Sequence, residues 1–93
     1  MSFQGGPVAA LRRIAFLLER SRADTYKVKA FRSAASALLP LSHEELLALA
    51  NSGRLTTLGG VGTSTARVIE QALAGDTPTR LAELEATAGG PLT

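Results

Sequence analysis

Ninety-three residues with 45% hydrophobic content suffice for one globular domain with a small core. The chain has no cysteine, which excludes disulfides and cysteine-based zinc sites. Its apolar runs are too short for a membrane span or a signal-peptide core, so a cytoplasmic protein with no membrane partner is expected. Net charge is only +2, but residues 12–32 carry seven basic side chains against Glu19 and Asp24, a local +5, whereas residues 33–93 carry three basic against six acidic, a local −3. The first third is therefore the natural face for a polyanion.

Residues 1–6 read as a flexible tail. Pro7 suits a first helical turn, and Val8, Leu11, Ala15 and Leu18, flanked by Ile14 and Leu17, form an apolar stripe at helical spacing. This predicts a helix over about 7–21. Asp24 offers an N-cap for a second helix over about 25–39, with Val28, Phe31, Ala35 and Leu38 inward and Lys29, Arg32, Ser33 and Ser36 opposite. Pro40 ends it. Ser42 and Glu45 have capping-box spacing, which predicts a third helix to about Asn51, stopped by Gly53. Residues 54–57 read as a short helical turn.

Leu58-Gly59-Gly60-Val61-Gly62-Thr63-Ser64-Thr65-Ala66-Arg67-Val68-Ile69 follows, a glycine hairpin that opens a helix over about 64–74. Its inward residues are Ala66, Ile69, Ala72 and Leu73, and Gly75 is its stop. Such a turn can bring backbone N–H groups and a helix N-terminus close to a phosphate, because no Cβ stands in the way. The hydroxyls of Thr63 and Ser64 can cap the helix or donate to an anion. The bland alternative is a connection whose Gly60 and Gly62 only let the helix pack on the preceding turn, with Arg67 and Glu70 pairing on a solvated face. Thr77-Pro78 then reads as a cap and a first-turn proline for a last helix holding Leu81, Leu84 and Ala86. The Ala-Gly-Gly-Pro stretch near the end reads as a linker. The expected fold is all-α, a compact bundle of about five short helices containing a helix-hairpin-helix motif. The expected domain covers 7–86, and 87–93 would link to a further C-terminal domain.

Two segments together resemble the N-terminal domain of family X DNA polymerases of the polymerase beta type. Tyr26-Lys27-Val28-Lys29-Ala30-Phe31-Arg32-Ser33-Ala34-Ala35 is similar to that family's Ala-aromatic-Arg-x-Ala-Ala helix, and 58–69 is similar to its Leu-Pro-Gly-Val-Gly-Thr hairpin. The likeness covers about 8–84. The opening Pro7 to Arg20 and the closing Leu84 to Leu92 look most like a related actinobacterial group. In that group a PHP metal-dependent phosphoesterase domain follows the module. The resemblance implies DNA repair as the setting and a C-terminal PHP domain as an intramolecular partner. The only histidine, His43, sits in a first helical turn and reads as a surface residue.

The family's 5′-deoxyribose phosphate lyase uses a lysine amine that forms a Schiff base with an abasic sugar. The hairpin alignment puts Val68 at the nucleophile position, Ser64 at a phosphate-binding lysine and Arg67 at a glutamate. Lys27 matches a phosphate-binding lysine, while Tyr26 replaces a histidine and Phe31 a tyrosine. Valine cannot form an imine, so this chain is expected not to be an enzyme. The expected function is sequence-independent binding of DNA, gapped or nicked DNA included, through its phosphate backbone. The expected contacts are Gly60, Gly62, Thr63, Ser64, Arg67, Lys27, Lys29 and Arg32, with the N–H groups of Gly60, Gly62 and Ser64 as donors. Family hairpins also hold a monovalent cation on backbone carbonyls, which places Na⁺ or K⁺ at Thr56, Leu58 and Val61, although Gly59 stands where proline is usual. A domain that only docks on a downstream catalytic domain is the alternative. Four aromatics leave little for extensive base stacking.

Overall fold

The computed structural model describes residues 6–89, with side chains over 6–86. Five helices follow one another: α1 (Gly6–Arg20), α2 (Thr25–Leu38), α3 (His43–Asn51), α4 (Thr63–Leu73) and α5 (Thr79–Gly89). A single 3₁₀ turn, Leu55–Thr57, precedes the hairpin, and no strand occurs among the described residues. The fold is the expected all-α bundle, with a radius of gyration of 12.9 Å.

Each helix starts and stops for a local reason. The Asp24 carboxylate accepts the Tyr26 N–H at 3.0 Å and opens α2. The Ser42 hydroxyl accepts the Glu45 N–H at 3.1 Å while the Glu45 carboxylate accepts the Ser42 N–H at 2.9 Å, a complete capping box for α3. Gly53 follows α3 with φ +70°, and the Arg54 N–H reaches back to the Leu49 carbonyl at 2.8 Å. That 6→1 bond satisfies a carbonyl the helix would otherwise leave open. The same closure ends α1, where the Ala23 N–H donates to the Leu18 carbonyl at 2.9 Å. There the left-handed position is held by Arg22, at φ 60°, and not by glycine.

The core forms where α1 meets α2, α4 and α5. Leu11, Ile14 and Leu18 of α1 are fully buried, as are Leu38, Leu55, Ile69 and Leu81 from the elements around it. Each such aliphatic side chain contributes about 1.5–3 kcal/mol by leaving water. Ala10 and Ala15 of α1 and Ala34 and Ala35 of α2 are buried as well, and their small side chains allow close helix packing. Arg13 and Glu85, 3.5 Å apart and half exposed, tie α1 to α5 at the surface.

Several boundaries differ from the sequence expectation. Helix α4 begins at Thr63, one residue early, and α5 at Thr79, with the Pro78 carbonyl accepting the Ala82 N–H at 3.0 Å. Pro78 is thus the residue before the helix and not within its first turn. Gly6 already belongs to α1, and α5 continues through Gly89, into the stretch expected as a linker. The remaining tail and linker positions, 1–5 and 90–93, lie outside the described residues.

Candidate nucleic-acid interface

The 3₁₀ turn buries Leu55, and the chain then crosses 58–62 before α4 starts. The Val61 N–H donates to the Leu58 carbonyl at 3.1 Å, which closes the turn. Gly60 sits at its apex with φ +93°, a conformation side-chain-bearing residues rarely adopt. It lies directly against the α2 backbone: a Cβ there would stand 3.2 Å from the Ser33 carbonyl oxygen. The bland alternative, that Gly60 and Gly62 only let α4 pack on the preceding turn, does not include this contact with Ser33. It brings the hairpin onto α2.

The start of α4 is organised by a residue the sequence reading passed over. Thr65 is only 4% exposed. Its hydroxyl accepts the Gly62 N–H at 2.8 Å and donates to the Gly62 carbonyl at 3.1 Å. The Gly62 N–H is thus engaged within the chain, a correction to its expected role as a phosphate donor. The caps expected of Thr63 and Ser64 are likewise not formed, since Thr65 makes this contact instead. Both hydroxyls remain exposed at the helix start. The N–H groups of Thr63 and Ser64 belong to the first turn of α4, where no intrahelical acceptor exists and the helix dipole favours an anion.

A cleft of about 780 Å³ opens between the N-terminal half of α2, the hairpin, α4 and the start of α5. Lys27, Gly60, Gly62, Thr63, Ser64 and Arg67 all line it, so six of the expected contact residues do converge. Lys29 does not line it. Arg32 lies on the other side of the hairpin and pairs with Glu19 at 3.1 Å. Arg67 forms no ion pair with Glu70 among the described residues, which leaves its guanidinium available. Val68, at the position the resemblance assigns to the lyase nucleophile, is 3% exposed and lines the cleft with Phe31 and Ala30 as an apolar wall.

Helix α5 adds residues that the sequence reading did not foresee. Arg80 and Glu83 line the same cleft. The charged lining is therefore Lys27, Arg67 and Arg80 against Glu83, a formal +2. Gln71 ties α5 in place: its side-chain carbonyl accepts the Thr79 N–H at 3.0 Å, and its amide donates to the Thr79 hydroxyl at 2.9 Å. A helical-spacing signal for Gln71 was available, since Ser64, Arg67, Val68 and Gln71 share one face of α4.

The carbonyls of Thr56 and Val61 accept no backbone hydrogen bond among the described residues, and Leu58 keeps a second lone pair beside its bond to Val61. No group of three or more His, Asp or Glu side chains with metal-site geometry occurs among the described residues, and His43 is exposed. Among the described residues, no helix is long and apolar enough to cross a membrane.

This arrangement of a glycine hairpin between short helices is the mark of a known class, and residues 6–78 match the helix-hairpin-helix domain model. The chain belongs to the helix-hairpin-helix domain family. Domains of this class generally bind nucleic acid. No curated protein and no solved structure matches the chain.

Proposed function

We propose that this chain is a sequence-independent DNA-binding module that holds the phosphate backbone at the junction of the hairpin and α4. The observation that carries the reading is the convergence, in one cleft, of the first N–H groups of α4 with Lys27 and Arg67. Backbone donors at a helix N-terminus attract a phosphate without reading a base, and two mobile cations widen the attraction. A K⁺ or Na⁺ ion on the Thr56, Leu58 and Val61 carbonyls would add a positive charge that bridges the hairpin to a phosphate oxygen.

The chain works by binding and not by lyase chemistry. Val68 offers no amine at the nucleophile position, and the chain's two lysines, Lys27 and Lys29, lie on α2. Its setting is an accessory domain of a PHP-type phosphoesterase or of a family X polymerase-like protein, a reading supported by the resemblance of its opening and closing segments. Gapped or nicked DNA with a 5′-phosphate is the substrate class, since the cleft couples an anion site to an apolar wall.

The test is fluorescence anisotropy with a gapped, 5′-phosphorylated duplex over a salt series, in K⁺ and in a large organic cation. Saturable binding that weakens linearly in log salt is expected. Binding that ignores salt, or none at low salt, overturns the reading.

A further inference from the structure

Helix α1 carries a second surface, separate from the hairpin. Arg12, Arg13, Phe16, Glu19 and Arg20 recur at helical spacing and are all exposed, on the face opposite Leu11, Ile14 and Leu18. This face borders a depression of about 360 Å³ between α1 and α2, lined by Arg12, Ala15, Phe16, Arg32, Ala35 and Ser36. None of these residues lines the hairpin cleft. The Arg32–Glu19 pair, at 3.1 Å, joins the two walls.

Phe16 is 44% exposed, and the Arg13 and Arg20 guanidiniums stand 5.4 and 5.7 Å from its ring centroid. These cation–π contacts hold two guanidiniums beside an apolar surface. Arg13 also meets Glu85 and Arg32 meets Glu19, whereas Arg12 and Arg20 form no ion pair among the described residues. The patch therefore sets Arg12, Arg13, Arg20 and Arg32 against Glu19 and Glu85, a formal +2. Its two unmatched charges lie one helical turn to either side of the ring. Ala15 and Ala35, each 2% exposed, give the depression a floor of small residues that leaves room for an aliphatic side chain next to the ring.

An aromatic ring framed by arginines has the composition of a protein-interface anchor, and a guanidinium takes a carboxylate bidentately. A phosphate backbone fits this patch less well. It carries a charge at every step, so it would meet Glu19 and Glu85 as well as the arginines. A polypeptide can set its carboxylates against Arg12 and Arg20 and present neutral side chains to the two glutamates. We propose that this face of α1 docks an acidic polypeptide segment, with an apolar side chain against Phe16 and carboxylates on Arg12 and Arg20. The two surfaces share no lining residue, so the domain holds nucleic acid and the acidic segment at the same time.

The experiment titrates the full chain with a short labelled peptide in which Asp and Glu alternate with Leu around a central Phe. One control peptide carries Asn and Gln in place of the acids, another Ser in place of Leu and Phe, and oligothymidylate is the nucleic-acid comparison. Saturable binding of the acidic apolar peptide is expected, with backbone amide shifts at 12–20 and 32–36 and none at 60–67. Each control peptide should bind about ten-fold more weakly. Phe16→Ala, and Arg12→Gln combined with Arg20→Gln, should each weaken the acidic peptide by about ten-fold. All three positions are exposed, so circular dichroism should be unchanged. Phe16→Ala should leave binding of the gapped duplex as it was, and Gly62→Asp should leave peptide binding as it was. Absence of peptide binding, equal binding of either control, an affinity unmoved by both variants, or shifts confined to the hairpin overturns the proposal. Oligothymidylate that binds at 12–20 more tightly than the peptide also overturns it and makes a nucleic-acid strand the occupant.

Discussion

Gly60 and Ser33 meet backbone to backbone: a Cβ on Gly60 would lie 3.2 Å from the Ser33 carbonyl oxygen and 3.4 Å from its carbonyl carbon. The same glycine has φ +93°. Space and conformation therefore both require glycine, and they place the hairpin at a fixed position on α2. That position is what gathers Lys27 with the start of α4.

Gly60→Ala is accordingly a stability mutation first. It should cost about 1–3 kcal/mol, from the left-handed backbone and from the contact that must open. Urea unfolding followed by circular dichroism checks this. A midpoint equal to that of the parent protein would show that the hairpin does not bear on α2.

Gly62 permits the cleaner test of phosphate binding. Its φ is −106°, and a Cβ there would meet nothing within 4 Å. It is also the N-cap residue of α4, where aspartate is favoured. Gly62→Asp should therefore keep or raise stability while putting a negative charge beside the anion site. Affinity for DNA should fall about ten-fold or more, since a like charge costs a kcal/mol or more at that range. Thermal melting and anisotropy on the same sample separate the two effects.

Thr65 holds the hairpin to α4 through the Gly62 N–H. Thr65→Val keeps the shape and removes the acceptor, and should destabilise by about 1 kcal/mol. Amide exchange at Gly62 should accelerate by roughly five-fold, which is the same free energy read locally. Exchange unchanged from the parent protein would mean that the bond does not protect that amide.

Arg22 marks a place where the chain departs from the best local choice. It occupies the left-handed position after α1, at φ 60°, which Gly53 and Gly75 occupy after α3 and α4. Arg22→Gly should raise stability by about 1 kcal/mol, because the Cβ penalty disappears while both closing hydrogen bonds remain. A lower melting temperature would show that the arginine side chain makes a compensating contact.

The helix ends were legible because they are written in short-range chemistry. Asp24, the Ser42 and Glu45 pair, Gly53 and Gly75 all act within four residues of where they stand, and all behave as the sequence reading expects. The apolar stripes of α1 and α2 were legible for the same reason. What escaped was long-range or competitive. Thr65 and Val68 look like surface and core choices of equal merit until α2 and α5 are in place around them. The spacing along α4 puts Gln71 on the face of Ser64, Arg67 and Val68, but its partner Thr79 stands on the next helix, so the pair itself was not legible. The engagement of the Gly62 N–H was hidden because three neighbouring hydroxyls, on Thr63, Ser64 and Thr65, compete for the same cap. Only packing decides that Thr65 turns inward. The expected hairpin residues and Lys27 lie together along one cleft, whereas Lys29 and Arg32, on the same basic helix, lie outside it.

The most direct test of the central claim compares the parent protein with Gly62→Asp by anisotropy on a gapped, 5′-phosphorylated duplex across a salt series. If three to four phosphates are neutralised, log affinity should fall with log salt at a slope near −3. Gly62→Asp should weaken binding at every salt concentration while the protein stays folded. A folded parent protein that does not bind at low salt, or a Gly62→Asp protein that binds equally well, would contradict the claim that the hairpin and α4 hold the phosphate backbone.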